Sequence, residues 1–410
     1  MTAMIDPPAS VAEPPSVGLI LATVQFFFTL TWVVYVIYLP ALAEQVGIPR
    51  SATLVLLMVD QLIFLFADYG CGVMADRMAR LNSRFGPAVL AVTLLSAAAF
   101  TLLPWVAPTG SAPLFLALMV LWSLGSSVLR APPMNLIGRY TARSRQPRLV
   151  ALSMLGLGLA SALAPYLALA LKGVDPRWPF LLSSLTLAVS TVGIVAAERI
   201  LQRRVAGGHS APLKPAASGA ALSVPVLQAL AVALLIALAF QLHVFLNSAP
   251  LYLRLATAAE LPWLMPAFWV GFNLGLWLAN WCTQRWGAPW VLAVAAAAAA
   301  LGASAVQAAG ALGWLVAAQA ATGVAWAAVL TSAFAAALAI GQGGREGRSA
   351  GALSSVLALA ALSRMGLTFS GLAATAPGTV TSTALQLGPV MLWALAAGAA
   401  WMALQRHSLR

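Results

Sequence analysis

Three carboxylates share one apolar stretch. Asp60, Asp68 and Asp76 fall within residues 52–76 of a 410-residue chain that has only ten acidic residues. A carboxylate in such surroundings is expensive, and it usually meets a partner or lines a water-filled path. Two cations lie in comparable apolar segments, Arg130 and Arg364, together with one histidine, His243. The chemistry open to this set is ion pairing and proton carriage. Burial raises a carboxyl pKa and a nearby guanidinium lowers it, so small rearrangements move a proton on or off. His243 is a second candidate proton carrier or a metal ligand. A metal would need companions, and Met265 is the one nearby in sequence, which leaves a copper carrier as an alternative. Catalysis is not expected. The sequence has no nucleotide-binding loop with a following Lys, no Cys or His cluster and no Ser–His–Asp set. No cofactor is implied, and any transport would be driven by an ion or solute gradient.

These residues need elements that can hold charge inside hydrocarbon. The chain is 61% hydrophobic and 8% charged, far below the roughly 25% charged residues of soluble domains. Apolar stretches of helical length recur throughout, without the alternation of barrel strands. The expected fold is therefore an all-α integral membrane protein with twelve transmembrane helices, at about 17–40, 52–75, 87–108, 113–138, 149–171, 179–198, 225–250, 261–283, 288–308, 311–340, 350–374 and 385–405. The net charge of +12 does not indicate a nucleic-acid surface. Most of the Lys and Arg fall in alternate connections and in the C-terminal tail, the positive-inside bias of an inner membrane. With an even number of spans both termini are cytoplasmic. Residues 1–16 lack the basic flank of a secretory signal, so the first segment is expected to stay as a helix. Cys71 and Cys282 read as packing residues in a reducing compartment.

Residues 199–224 form the longest polar interval, with Arg203, Arg204, Gly207, Gly208, Lys214 and Pro215. They read as a cytoplasmic linker between a bundle at 17–198 and a bundle at 225–405, with a short tail at 406–410. The halves look alike. Arg84-Phe85-Gly86-Pro87 leads into Ala88-Val89-Leu90-Ala91-Val92, and Arg285-Trp286-Gly287-Ala288-Pro289 leads into Trp290-Val291-Leu292-Ala293-Val294. Gly72…Asp76 has a fainter counterpart in Gly275…Asn280. Two pseudo-symmetric six-helix bundles of this kind build transporters that rock about a midplane site.

Gly72-Val73-Met74-Ala75-Asp76-Arg77-Met78-Ala79-Arg80 resembles the loop between helices 2 and 3 of the major facilitator superfamily. Ala79 stands in place of that motif's second glycine and Leu81 in place of its last basic residue. The resemblance implies that Asp76 and Arg77 lock the cytoplasmic gate of the outward-open state and that Gly72 admits a neighbouring helix. Asp68, Gly72 and Asp76, followed by Ser83-Arg84-Phe85-Gly86, are also similar to the cation-coupled sugar symporters of the superfamily. Tyr69 and Phe64 replace the proline and second carboxylate of those proteins. Gly156, Gly158 and Ala164-Pro165 match only part of the antiporter signature of helix 5.

Helix depth suggests pairings. Asp68 and Arg130 fall at similar heights, as do Asp60 and Arg364 on helices that are neighbours in the superfamily. At 1.5 Å per residue the match is good to about one turn. The expectation is an alternating pair of gates, Asp60–Arg364 on the periplasmic side and Asp68–Arg130 with Asp76 on the cytoplasmic side. Pro132-Pro133 should kink the fourth helix beside Arg130. By repeat symmetry Gln25 and Tyr35 on helix 1, Gln241, His243 and Asn247 on helix 7, Asn273 on helix 8 and Gln319 on helix 10 should line a substrate cavity. Trp269, Trp277 and Asn280 share a face with Asn273. The expected partners are a small organic solute, protons or another coupling ion and the lipid bilayer, with no nucleic acid and a monomeric chain. Alternatives are drug efflux, metal uptake and a non-transporting assembly factor.

Overall fold

A computed structural model describes residues 15–80, 85–206, 224–374 and 379–408. Among these residues there is no strand, and twelve helices are long and apolar enough to cross a membrane. They are α1 (Ser16–Gln45), α2 (Arg50–Met78), α3 (Gly86–Thr109), α4 (Ala112–Tyr140), α5 (Gln146–Ala170), α6 (Arg177–Arg203), α7 (Pro225–Tyr252), α8 (Leu261–Trp286), α9 (Ala288–Gln307), α10 (Leu312–Gly341), α11 (Glu346–Phe369) and α12 (Val380–Gln405). A helix satisfies most of its own backbone, which lipid requires of a spanning segment. The helix containing α6 runs on to Ala206 rather than ending at 198.

The first six spans pack on one another and the last six do likewise. Across the two sets, α2 lies against α11 and α5 against α8. Large side chains such as Leu274 and Trp277 are left to the lipid, Trp277 being 84% exposed. Close approach relies on small residues, as is usual where lipid offers no hydrophobic contrast. Side chains added at Gly271 and Gly275 of α8 would run into the backbone of Ala320 and Val324 on α10.

Two spans depart from regular α-helix where the polar residues sit. In α4 a helix over Ala112–Ser126 gives way to a 3-10 turn at Ser127–Leu129, and a second helix runs from Ala131 to Tyr140. Pro132 and Pro133 lack N–H groups, so they fit the first turn of that second helix and would not fit mid-helix. In α7 residues Gln241–Asn247 are wound as a π-helix. Pro250 denies the carbonyl of Leu246 its ordinary partner.

Candidate functional site

The three aspartates of α2 form a ladder against α4. The helices run in the same direction, and each carboxylate meets a polar side chain of α4. At the first rung Asp60 is fully buried and accepts hydrogen bonds from Ser123 Oγ of α4 and, at 2.8 Å, from Tyr35 Oη of α1. At the second, Asp68 Oδ2 pairs with Arg130 Nη1 at 3.2 Å. The side chain of Asp68 is wholly buried and that of Arg130 is 24% exposed. The guanidinium also lies 3.8 Å from the centre of the Phe64 ring, a cation–π contact that shields it from lipid. At the third, Asp76 accepts from Asn135 Nδ2 at 2.7 Å and from the backbone N–H groups of Gly347 and Arg348 at 2.8 Å each.

That last rung joins the two halves. Asp76 caps the N-terminus of α11, where free N–H groups and the helix dipole favour a carboxylate. A Cβ at Gly72 would overlap the carbonyl of Gly347, and one at Gly351 would meet the carbonyl of Asp68. Gly138 of α4 lies on Glu346. The end of the molecule carrying Asp76, here the motif end, is therefore closed by backbone contact between α2, α4 and α11.

The sequence description "Major Facilitator Superfamily" matches residues 21–257, more than half of the chain. The chain belongs to the major facilitator superfamily. No curated protein matches it in sequence. Solved structures of the superfamily share its fold. The human organic anion transporter MFSD10 is 14% identical with a TM-score of 0.67, over 95% of this chain and 99% of that one. The E. coli fucose:proton symporter FucP is 15% identical with a TM-score of 0.63, over 94% and 98%. A bacterial homologue of the iron transporter ferroportin, in an outward-facing state, is 16% identical with a TM-score of 0.67, over 95% and 99%. Members of the superfamily are secondary transporters.

Against that fold several expected positions are corrected. Asp60 and Arg364 do not pair. Asp60 is taken by Tyr35 and Ser123, while Arg364 Nε donates to Gln241 Oε1 at 3.0 Å and the guanidinium lies over the Phe245 ring. Matching depth fixes height along the membrane normal but not rotation about each helix axis, and these two side chains face different neighbours. Tyr35 does not line a cavity. It sits in the core of the first half, 4.4 Å from the Trp122 ring centroid. His243 and Gln319 are likewise buried, bonded to each other at 2.9 Å, with Gln319 Nε2 donating to Ser248 Oγ at 3.0 Å. Asn247 donates to the Leu385 carbonyl of α12 and so fastens the π-helix to its neighbour. Gln25 is half-buried with its amide on Thr29 of its own helix. Asn273 is half-buried, donates to the Trp269 carbonyl and faces Gly158 of α5. Asn280 accepts from Gln284. Tyr35, His243 and Gln319 thus belong to separate cores, whereas Gln25, Gln241 and Asn273 remain half-buried.

Arg77, expected to act with Asp76, is exposed. Arg84 lies outside the described residues. Ser123, Asn135 and Gly347 have contacts that reasoning from charge missed. A periodic signal for them exists, because the aspartates recur every eight residues on α2 and each needs a polar neighbour. Gly347-x-x-x-Gly351 is also readable as a close-approach motif.

Proposed function

We propose that this chain is a secondary active transporter that moves a small organic solute by alternating access and is coupled to protons through Asp60. The observation that carries the proposal is the α2–α4 ladder, in which one buried carboxylate is held by hydroxyls and the next by a guanidinium. Asp60 can take a proton without stranding a cation, whereas neutralising Asp68 would leave Arg130 unpaired. With the motif end cytoplasmic, as its basic connections favour, contact at Gly72 and Gly347 corresponds to an outward-facing state of an inner-membrane protein with both termini inside. Rocking the bundles would break the cap of Asp76 on α11.

Arg130 and Arg364 are each half-buried, and two guanidinium groups within the spans favour an anionic or zwitterionic solute. An organic anion transporter and a fucose:proton symporter are among the structures of like fold. A metal carrier is the second reading, since a bacterial homologue of the iron transporter ferroportin shares the fold, but the residues favour it less. Among the described residues no group of three or more His, Cys, Asp and Glu gathers, and His243 commits one ring nitrogen to Gln319.

The test is thermal stability of the purified protein against organic anions, amino acids, vitamins, sugars, lipophilic cations and copper at pH 5.5 and 7.5. A ligand that binds only the folded state raises the melting point with its concentration. An organic solute whose stabilisation depends on pH in the wild type but not in Asp60→Asn supports the proposal. A pH-dependent hit unchanged in Asp60→Asn removes Asp60 from coupling. Silence across the panel moves the reading to an assembly factor.

A further inference from the structure

A cavity stands apart from the ladder. It lies at the motif end, mostly within the second half, between the ends of α7, α9, α10, α11 and α12, with the connection from α4 to α5 at its rim. Its volume is about 1470 Å³, above the roughly 300–1,000 Å³ of pockets that hold drug-sized molecules. The walls are mainly apolar, with Leu230, Ala336 and Ala400 among them, and Arg143 and Arg348 also line the cavity.

Two polar atoms in the wall have no hydrogen-bond partner among the described residues, Thr283 Oγ1 and Arg348 Nε. Thr283 is 4% exposed. Arg348 caps Asp76 through its backbone N–H, and its side chain is among the residues lining the cavity. A buried donor left unmatched costs about 1–3 kcal/mol, which favours a ligand that supplies an acceptor there. A large, mainly apolar chamber with arginines among its lining residues matches an amphiphile with an anionic head. Arginine forks suit phosphate oxygens, and basic pockets between spans on the cytoplasmic side suit anionic headgroups.

We propose that this cavity is a resident site for an anionic phospholipid, with the phosphate between Arg143 and Arg348 and an acyl chain along α7, α10 and α12. The lipid would brace the cytoplasmic end of the second half. This proposal is independent of the transported solute.

The experiment uses full-length protein stripped of lipid in detergent. Dioleoylphosphatidylglycerol, dioleoylphosphatidylcholine and inorganic phosphate are titrated in parallel, with melting temperature and native mass spectra as readouts. The expected result is a melting-temperature rise and a retained lipid with phosphatidylglycerol alone. Arg143→Gln and Arg348→Gln together should weaken that retention at least tenfold. Arg143 is exposed on a connection, so Arg143→Gln alone should keep the lipid-free melting point and still weaken retention. Equal stabilisation by phosphatidylcholine, or full stabilisation by phosphate alone, would overturn the proposal. So would unchanged retention in the arginine variants. Flipping of fluorescent phosphatidylglycerol in proteoliposomes would make the lipid cargo rather than a resident, and would also overturn it.

Discussion

The two halves bury polar groups at related places by different chemistry. In the first half, α1, α2 and α4 meet through Tyr35, Asp60 and Ser123, and then through Asp68 and Arg130. In the second half, α7 and α10 meet through hydrogen bonds among His243, Gln319 and Ser248. Aligning Gly72 with Gly275 puts Gly271 of α8 where Asp68 stands on α2. Asp68 reaches a guanidinium, whereas Gly271 lets the helix backbone settle on Ala320. At this pair of positions the first half holds an ion pair between its helices and the second half holds close packing. A charge can change state with proton or solute; a glycine contact cannot. Under the proposed function the switch belongs to the first half, and the second half supplies the wall it moves against.

The largest effect should come from splitting the buried ion pair. Asp68→Ala leaves Arg130 without its counter-ion, and breaking such a pair from one side costs about 3–5 kcal/mol. Thermal unfolding of Asp68→Ala should show this loss, and the double variant Asp68→Asn/Arg130→Gln should recover most of the stability without recovering transport. Equal stability of the single and double variants would mean that the pair is not coupled. Next in size is the seam between halves. Gly347→Val forces a side chain into Gly72 and Asp76, an overpacking cost of about 1–3 kcal/mol that falls on the closed motif end. Cysteine accessibility near Asp76 should rise in this variant. In the second half, Gln319→Leu strands the ring nitrogen of His243 and should cost about 1–3 kcal/mol while leaving the pH profile of transport unchanged. A changed profile would break the division between the halves. The smallest effect is expected at Glu260, which precedes α8. Hydrogen bonds from the backbone N–H and then the hydroxyl of Thr257 hold its carboxyl below the usual range. A depressed value contributes only above the unfolded pKa of about 4.3 and is lost as pH falls below it. Glu260→Gln should therefore leave the response between pH 5 and 8 as in the wild type, measured in the same assay.

Much of this was readable before any coordinates. Twelve spans follow from hydropathy alone because lipid enforces helices of one length. Asp68 and Arg130 meet because equal depth on adjacent helices of like direction leaves them few alternatives. The same reasoning mispaired Asp60 with Arg364. Rotation about the helix axis depends on packing, and the apolar stretches here are too uniform to reveal which face turns inward. Repeat symmetry points Tyr35, His243 and Gln319 at a cavity, yet His243 sits on the π-helix of α7, and Tyr35 and Gln319 are turned into cores by packing and hydrogen bonds that no periodicity records. Ser123 and Asn135 carry no charge, so the residues that complete the ladder were its least visible parts.

The claim that the first half holds a proton switch at Asp60 can be tested without knowing the solute. Spin labels at Gln45→Cys and Leu372→Cys, on the end opposite Asp76 and in a Cys71→Ser/Cys282→Ser background, report the distance between the halves by double electron–electron resonance. The account predicts a distance distribution that shifts between pH 5.5 and 8 in the otherwise wild-type protein and stays fixed when Asp60→Asn is added. The same shift in both proteins would place the proton elsewhere and contradict the account.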